Sequence, residues 1–251
     1  MSYAAIVTGS ASGIGEAPSS DLLADGWAVY GIDMSEDALS ATSERLANKK
    51  FYPMVCDVRS ADRVQAVFSE IGERTGKINA LIASADVIRV GALSDMSVND
   101  FDAIFNVNVR GLWLTARDAI PMLKRALALG ELARIVMLSS VSALRPKIEG
   151  GAYAASKIAV SQLAGVMGVE CAGDGILVNA VAPATTDMPM VRNADTSGNW
   201  RSSGPSPLGR IAETQDVVRV IRFLLSEESA YVNGTTIPVD SGTRAAYVPL
   251  T

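Results

Sequence analysis

Short runs of apolar and β-branched residues recur along the chain and alternate with longer stretches whose apolar positions repeat at helical spacing. The runs predict strands near Tyr3–Thr8, Ala28–Asp33, Phe51–Asp57, Ala80–Ala83, Arg134–Ser139, Leu177–Ala182 and Thr236–Val239. The intervals predict helices starting near Gly13, Ser35, Ser60, Ser97, Ala152 and Thr214. Ser35 and Thr214 are N-cap residues by type, and Ser97-Val98-Asn99-Asp100 has a capping-box-like spacing. Strands separated by helices at this interval form βαβ units, so the expected fold is a single α/β domain over residues 1–251, a doubly wound parallel sheet flanked by helices. No internal repeat or low-complexity tract is present. The segment from Thr185 to Pro207 has little periodicity, and loops of that length in compact domains are usually functional or disordered.

Composition narrows the function classes. With 49% hydrophobic residues and a net charge of −5, disorder is excluded, and no basic excess recommends a nucleic-acid partner. The longest apolar runs, such as Ala80–Ala83 and Ile135–Leu138, fall far short of a membrane helix. The first residues carry no basic segment or cleavage-like site, so the expectation is a cytoplasmic protein. Cys56 and Cys171 lie in apolar stretches and are expected to be buried free thiols. The chain has no histidine, which removes Ser-His-Asp and Cys-His hydrolases and the usual histidine-ligated zinc sites; no metal is expected. Proton chemistry falls to Tyr, Lys, Asp, Glu or Cys.

Three features carry chemistry. Thr8-Gly9-Ser10-Ala11-Ser12-Gly13-Ile14-Gly15 joins the first strand to the first helix, where glycines let the backbone turn tightly and approach a pyrophosphate at the helix N-terminus. Asp33 closes the second strand, 18 residues after Gly15. A carboxylate there either accepts both adenosine ribose hydroxyls or serves as a solvated, helix-capping acid. Ser12 and Met34 stand where a phosphorylated cofactor would want a basic residue, which favours NAD over NADP. Tyr153 and Lys157 are four apart on one helix face, so an ammonium is expected to lower a phenol pKa of about 10. Ser140 follows the fifth strand at the carboxyl edge, and Asn108 is an amide inside an apolar helix that needs a polar partner.

Together these residues resemble the short-chain dehydrogenase/reductase family from about Ala4 to Gly242. The resemblance implies a Rossmann-type sheet of seven strands. In it Gly9, Ser12, Gly13, Ile14 and Gly15 bind the pyrophosphate of NAD, and Asp33 holds the adenosine ribose. Asp57 and Val58 hold adenine. It also sets Ala83, Ala85, Pro183 and Thr186 against the cofactor. The catalytic tetrad maps onto Asn108, Ser140, Tyr153 and Lys157. Tyr153 would exchange the hydroxyl proton, Ser140 would hold the substrate oxygen, and Lys157 would bind the nicotinamide ribose and lower the Tyr153 pKa. Asn108 would anchor a water leading from Lys157 to solvent. A homotetramer is implied, with the helices Ser97–Ala128 and Ala152–Ala172 and the tail Ala245–Thr251 as its interface.

The sequence departs from the family in places. Ala83-Ser84-Ala85-Asp86 replaces Asn-Asn-Ala-Gly, which removes a bracing amide and places a carboxylate where glycine lets the backbone pass the cofactor. Whether Asp86 repels phosphate or contacts substrate stays open. Pro183-Ala184 replaces Pro-Gly, and Pro18 falls early in the first helix. Stretches including Val87–Ala92, Arg145–Ile148, Pro183–Asp187 and Pro207–Ala212 are most similar to the 2,3-dihydro-2,3-dihydroxybenzoate dehydrogenase group, which implies a cyclic dihydrodiol carboxylate as substrate. Arg89, Lys147 and Arg192 are candidate carboxylate partners, and Met188, Met190 and Trp200 candidate pocket walls. A ketone, sugar or 3-oxoacyl reductase remains an alternative. So does a non-catalytic nucleotide-binding sensor or partner protein.

Overall fold

The computed structural model describes residues 3–192 and 204–246. Strands β1 (Ala4–Thr8), β2 (Ala28–Asp33), β3 (Phe51–Val55), β4 (Ala80–Ala83), β5 (Arg134–Leu138), β6 (Leu177–Pro183) and β7 (Thr236–Val239) form one sheet in the order β3-β2-β1-β4-β5-β6-β7. Every neighbouring pair is parallel. Helices α1 (Gly13–Ala24), α2 (Glu36–Leu46), α3 (Ala61–Thr75), α4 (Val98–Phe105), α5 (Leu112–Ala128), α6 (Gly151–Ala172), α7 (Pro189–Arg192) and α8 (Thr214–Leu224) cover its faces and edges.

The central strands read as continuous apolar runs because both of their faces are buried. In β1, Ile6 joins Leu81, Ile135 and Val178 in the core beneath α3, α5 and α6. Val7 points the other way and joins Ile82, Val136 and Val181 beneath α1 and α8. The two outermost strands carry Pro53 and Pro238, residues that fit an edge because they donate nothing to a ladder. No helix among the described residues is long and apolar enough to cross a membrane. Cys56 and Cys171 are buried free thiols, as expected.

Three local expectations are corrected, and Pro18 falls within the first helix as expected. β3 stops at Val55 rather than Asp57, because the Asp57 carboxylate accepts the Arg59 N–H at 2.9 Å and turns the chain. The cap of α8 is Glu213 rather than Thr214, with the Glu213 N–H donating to Asp216 at 2.9 Å. Pro18 lies in the second turn of α1, and the helix runs past it. The long helix expected over Ser97–Ala128 is interrupted by a π-helical turn, Asn106–Gly111, between α4 and α5. At its end Gly111 lies flush against Val58, where an added Cβ would come 2.7 Å from a Val58 methyl. Such π turns recur at functional sites.

The chain leaves β1 toward β2 on one side and returns to β4 on the other. A crevice therefore opens at the carboxyl ends of β1 and β4, the topological switch point where open α/β sheets bind ligands.

Candidate active site

A cleft of about 310 Å³ occupies that crevice. Gly9, Ser12, Gly13, Ile14 and Gly15 line one end of it. Gly9 has φ +66°, and a Cβ on Gly15 would lie 2.0 Å from the Gly9 carbonyl oxygen. The turn closes this tightly only with glycines at both places. Ser12 caps α1 without a side-chain hydrogen bond; its carbonyl accepts the Gly15 and Glu16 N–H groups at 3.2 Å each, which leaves the Gly13 and Ile14 N–H groups at the helix start as the donors for an anion. Asp33 lines the same end, half-buried, its oxygens accepting the Ala11 and Ser35 N–H groups at 3.2 Å each. A carboxylate has further lone pairs, enough to accept two hydroxyls as well. Asp57 and Val58 also line the cleft. The Arg59 guanidinium forks onto Asp57, with a closest contact of 2.7 Å, and holds its carboxyl below the usual range.

The other end is built from β5, α6 and the segment after β4. Ser140, Tyr153 and Asp86 line it together. Tyr153 Oη donates to Asp86 Oδ2 at 2.9 Å, and Lys157 Nζ stands 2.9 Å from the same oxygen. The Lys157 ammonium also donates to the Leu138 carbonyl at 2.8 Å and lies 5.4 Å from the centre of the Tyr153 ring. Lys157 is 1% exposed and Asp86 13%. The expected lowering of the Tyr153 pKa is not found. Burial pushes the phenol well above its ordinary value, and the charge and hydrogen bond of Asp86 push it further; only a hydrogen bond from Ser140 opposes them. The ammonium that was to favour phenolate is paired with a carboxylate instead.

Asn108, carried inward by the π turn, is 0% exposed. Its Oδ1 accepts the Val87 N–H at 2.9 Å, and its Nδ2 donates to the Val87 carbonyl at 3.0 Å and to Ser156 Oγ at 3.2 Å. The expected polar partner is thus the backbone beside Asp86. The bracing lost at Ala83 is supplied elsewhere: Thr8 Oγ1 accepts the N–H groups of Ser84 and Ala85 at 3.0 and 3.1 Å, and Ser84 Oγ donates to the Thr8 carbonyl.

Ala85 and Pro183 line the cleft, whereas Ala83, Thr186 and the buried Lys157 do not. Ala83 packs into the core, and the Thr186 hydroxyl is turned onto the Ala184 carbonyl at 3.0 Å. Of the three candidate cations only Lys147 lines the cleft. Burial, and then Arg145, lower its pKa. Arg89 stands 3.5 Å from Asp100, and Arg192 forks onto Asp187 at 2.7 and 2.8 Å. Met188 lines the cleft; the Met190 side chain and Trp200 lie outside the described residues. Sequence reasoning missed the joint contact of Asp86 with Tyr153 and Lys157. Its signal was an acid three residues past the end of a central strand.

A family model described as enoyl-(acyl carrier protein) reductase matches residues 9–244. The chain is 33% identical to 3-oxoacyl-[acyl-carrier-protein] reductase of Thermotoga maritima, over 94% of this chain and 96% of that one. It is 29% identical to meso-2,3-butanediol dehydrogenase of Serratia marcescens, over 96% and 94% respectively. Among solved structures, levodione reductase superposes with a TM-score of 0.88 at 28% identity, covering 98% of each chain. The 3-ketoacyl-(acyl-carrier-protein) reductase of Brucella melitensis, complexed with NADH, superposes with a TM-score of 0.88 at 25% identity, covering 96% of this chain and 98% of that one. With the seven-stranded parallel sheet and the glycine turn at its switch point, these likenesses place the chain in the short-chain dehydrogenase/reductase family of oxidoreductases.

Proposed function

We propose that the protein is an NAD-preferring oxidoreductase that transfers a hydride between a secondary alcohol and the nicotinamide, with Tyr153 exchanging the hydroxyl proton. The observation that carries this reading is one cleft lined by the glycine turn and Asp33 at one end and by Ser140 and Tyr153 at the other. The residues fit a pyridine dinucleotide: a turn that a Cβ would fill suits the pyrophosphate, and the half-buried acceptor Asp33 suits an unphosphorylated ribose. A 2′-phosphate would meet the Asp33 charge, and no Arg or Lys lines that end among the described residues. When bound, the nicotinamide supplies the hydride acceptor or donor. Ser140 holds the substrate oxygen beside Tyr153, Lys157 acts from behind the cleft through Asp86, and Ala85 and Pro183 flank the cofactor.

Lys147, the one cation lining the cleft among the described residues, supports a substrate carrying a carboxylate, such as a cyclic dihydrodiol carboxylate. Likeness to a 3-oxoacyl reductase supports a second reading, in which the same site reduces a ketone. The segment 185–207, of which 193–203 lie outside the described residues, would cover the substrate. Exposed Phe101, Ile158 and Val169 on α4 and α6 support assembly into a homo-oligomer, and a cytoplasmic location is part of the same reading. Titration with NADH and NADPH, followed by nicotinamide fluorescence, tests the cofactor. Saturable NADH binding with weaker NADPH binding is expected. A Tyr153→Phe variant that keeps turnover within a few-fold of wild type overturns the proton-transfer role.

A further inference from the structure

We infer that Asp86 is a further catalytic residue, the group that takes the proton from Tyr153, with Tyr153 serving as a neutral relay between substrate and carboxylate. The inference rests on the oxidoreductase reading above and adds to it where the proton goes. Tyr153 Oη donates to Asp86 Oδ2 at 2.9 Å, so the phenol proton already points at an acceptor. Lys157 Nζ, 2.9 Å from that oxygen and anchored on the Leu138 carbonyl, fixes the carboxylate in place. Asn108 grips both backbone polar groups of Val87, the next residue, and so aims the Asp86 side chain. Asp86 Oδ1 is buried and has no hydrogen-bond partner among the described residues. Most buried polar side-chain atoms in folded proteins are paired, and the only other buried carboxylate oxygen left without a partner among the described residues is Asp118 Oδ2.

The proton count closes without a phenolate. In alcohol oxidation the carbinol hydrogen leaves as hydride to the pyridine nucleotide. The hydroxyl proton passes to Tyr153 Oη as the proton already on Oη passes to Asp86 Oδ2. The carbon–oxygen double bond forms, Tyr153 ends as the phenol it began as, and Asp86 ends as a carboxylic acid. Reduction runs the same path backward. This also accounts for the Tyr153 environment, in which burial and Asp86 hold the phenol protonated.

The test compares wild type with Asp86→Asn and Asp86→Gly, each checked for native circular dichroism and for its NADH dissociation constant. Ultraviolet difference titration against Tyr153→Phe isolates the tyrosinate signal of Tyr153. Replacing the carboxylate in Asp86→Asn is expected to move that titration down by about one pH unit or more. Oxidation of a vicinal diol or other secondary alcohol is expected to fall by about 10²- to 10⁴-fold in kcat, with KM and NADH affinity little changed. Added formate should restore part of the rate to Asp86→Gly, which leaves room for it, and none to Asp86→Asn. A Tyr153 titration unmoved in Asp86→Asn overturns the inference. So does wild-type or faster turnover in Asp86→Gly, the result expected of a carboxylate that merely blocks the site. Failure of the wild-type protein to bind either nucleotide sinks the oxidoreductase reading instead, and the tyrosinate titration still decides whether Asp86 governs the Tyr153 proton.

Discussion

Asn108 holds Val87 by both of its backbone polar groups, accepting the N–H at 2.9 Å and donating to the carbonyl at 3.0 Å. A side chain on a π turn thereby fixes the segment after β4, and with it the Asp86 carboxylate. Asn108→Ala leaves these groups without their partner, at a cost of about 1–3 kcal/mol. Urea denaturation should read this loss, and activity should fall further than stability alone explains because Asp86 is no longer aimed. Asn108→Asp keeps one acceptor but not the donor, and should fall between.

Asp33 should set the cofactor preference. On the proposed reading, Asp33→Ala removes a charge that would face the 2′ position and an acceptor that would take the ribose hydroxyls. The ratio of NADP to NAD affinity is expected to rise about tenfold or more, equivalent to roughly 1.4 kcal/mol of differential binding. Parallel fluorescence titrations measure it, and an unchanged ratio removes Asp33 from the ribose site.

At Gly15 the first helix meets the turn it grows from. A Cβ there would lie 2.0 Å from the Gly9 carbonyl oxygen and 2.8 Å from Ser84 Oγ. Gly15→Ala should destabilise the fold by about 1–3 kcal/mol through overpacking and weaken nucleotide binding at the same time. Thermal unfolding with and without NADH separates the two effects, because only the second reduces the stabilisation by ligand.

Asp216 joins Arg210 at 2.6 Å and takes the Glu213 N–H at the start of α8, which lowers its pKa to about 2. A depressed carboxylate pKa stabilises the fold above the unfolded value of about 3.9 and loses that contribution as pH falls through the folded value. The Arg210 partner is half-exposed, so the expected loss in Asp216→Asn at neutral pH is at most about 1 kcal/mol. Denaturation midpoints of variant and wild type should converge as the pH approaches 2.

Burial pushes the Cys56 thiol up to about 11 although the residue borders the cleft. The thiolate is the reactive form, so alkylation of Cys56 at neutral pH should be slow in the folded protein and rapid after denaturation. Mass spectrometry of iodoacetamide-treated samples distinguishes the two. Fast labelling of the native chain would place Cys56 closer to solvent than the fold has it.

Much of this molecule was legible as sequence. All seven strands, the cap at Ser97 and the glycine turn follow from short apolar runs, capping chemistry and the φ restrictions that only glycine escapes. These are properties of neighbouring residues, and neighbours are what a sequence lists directly. Most of the cleft-lining residues could be named for the same reason, since strand ends in a parallel α/β sheet all open on one edge. Ala83 and Thr186 were misjudged because strand pleat and a local turn decided which way each side chain faced.

The chemistry of Tyr153 was decided by tertiary structure. Its spacing from Lys157 along one helix suggested a phenol made more acidic by an ammonium. The fold brings Asp86, 67 positions away in sequence, to the same two groups and reverses that tendency. Electrostatic energy depends on distances between charges and on their exclusion from water, and neither quantity is written in the spacing along one helix. By itself the sequence determined the sheet, the glycine turn and the residue types available for proton transfer. Only the folded chain decided which carboxylate stands next to which phenol.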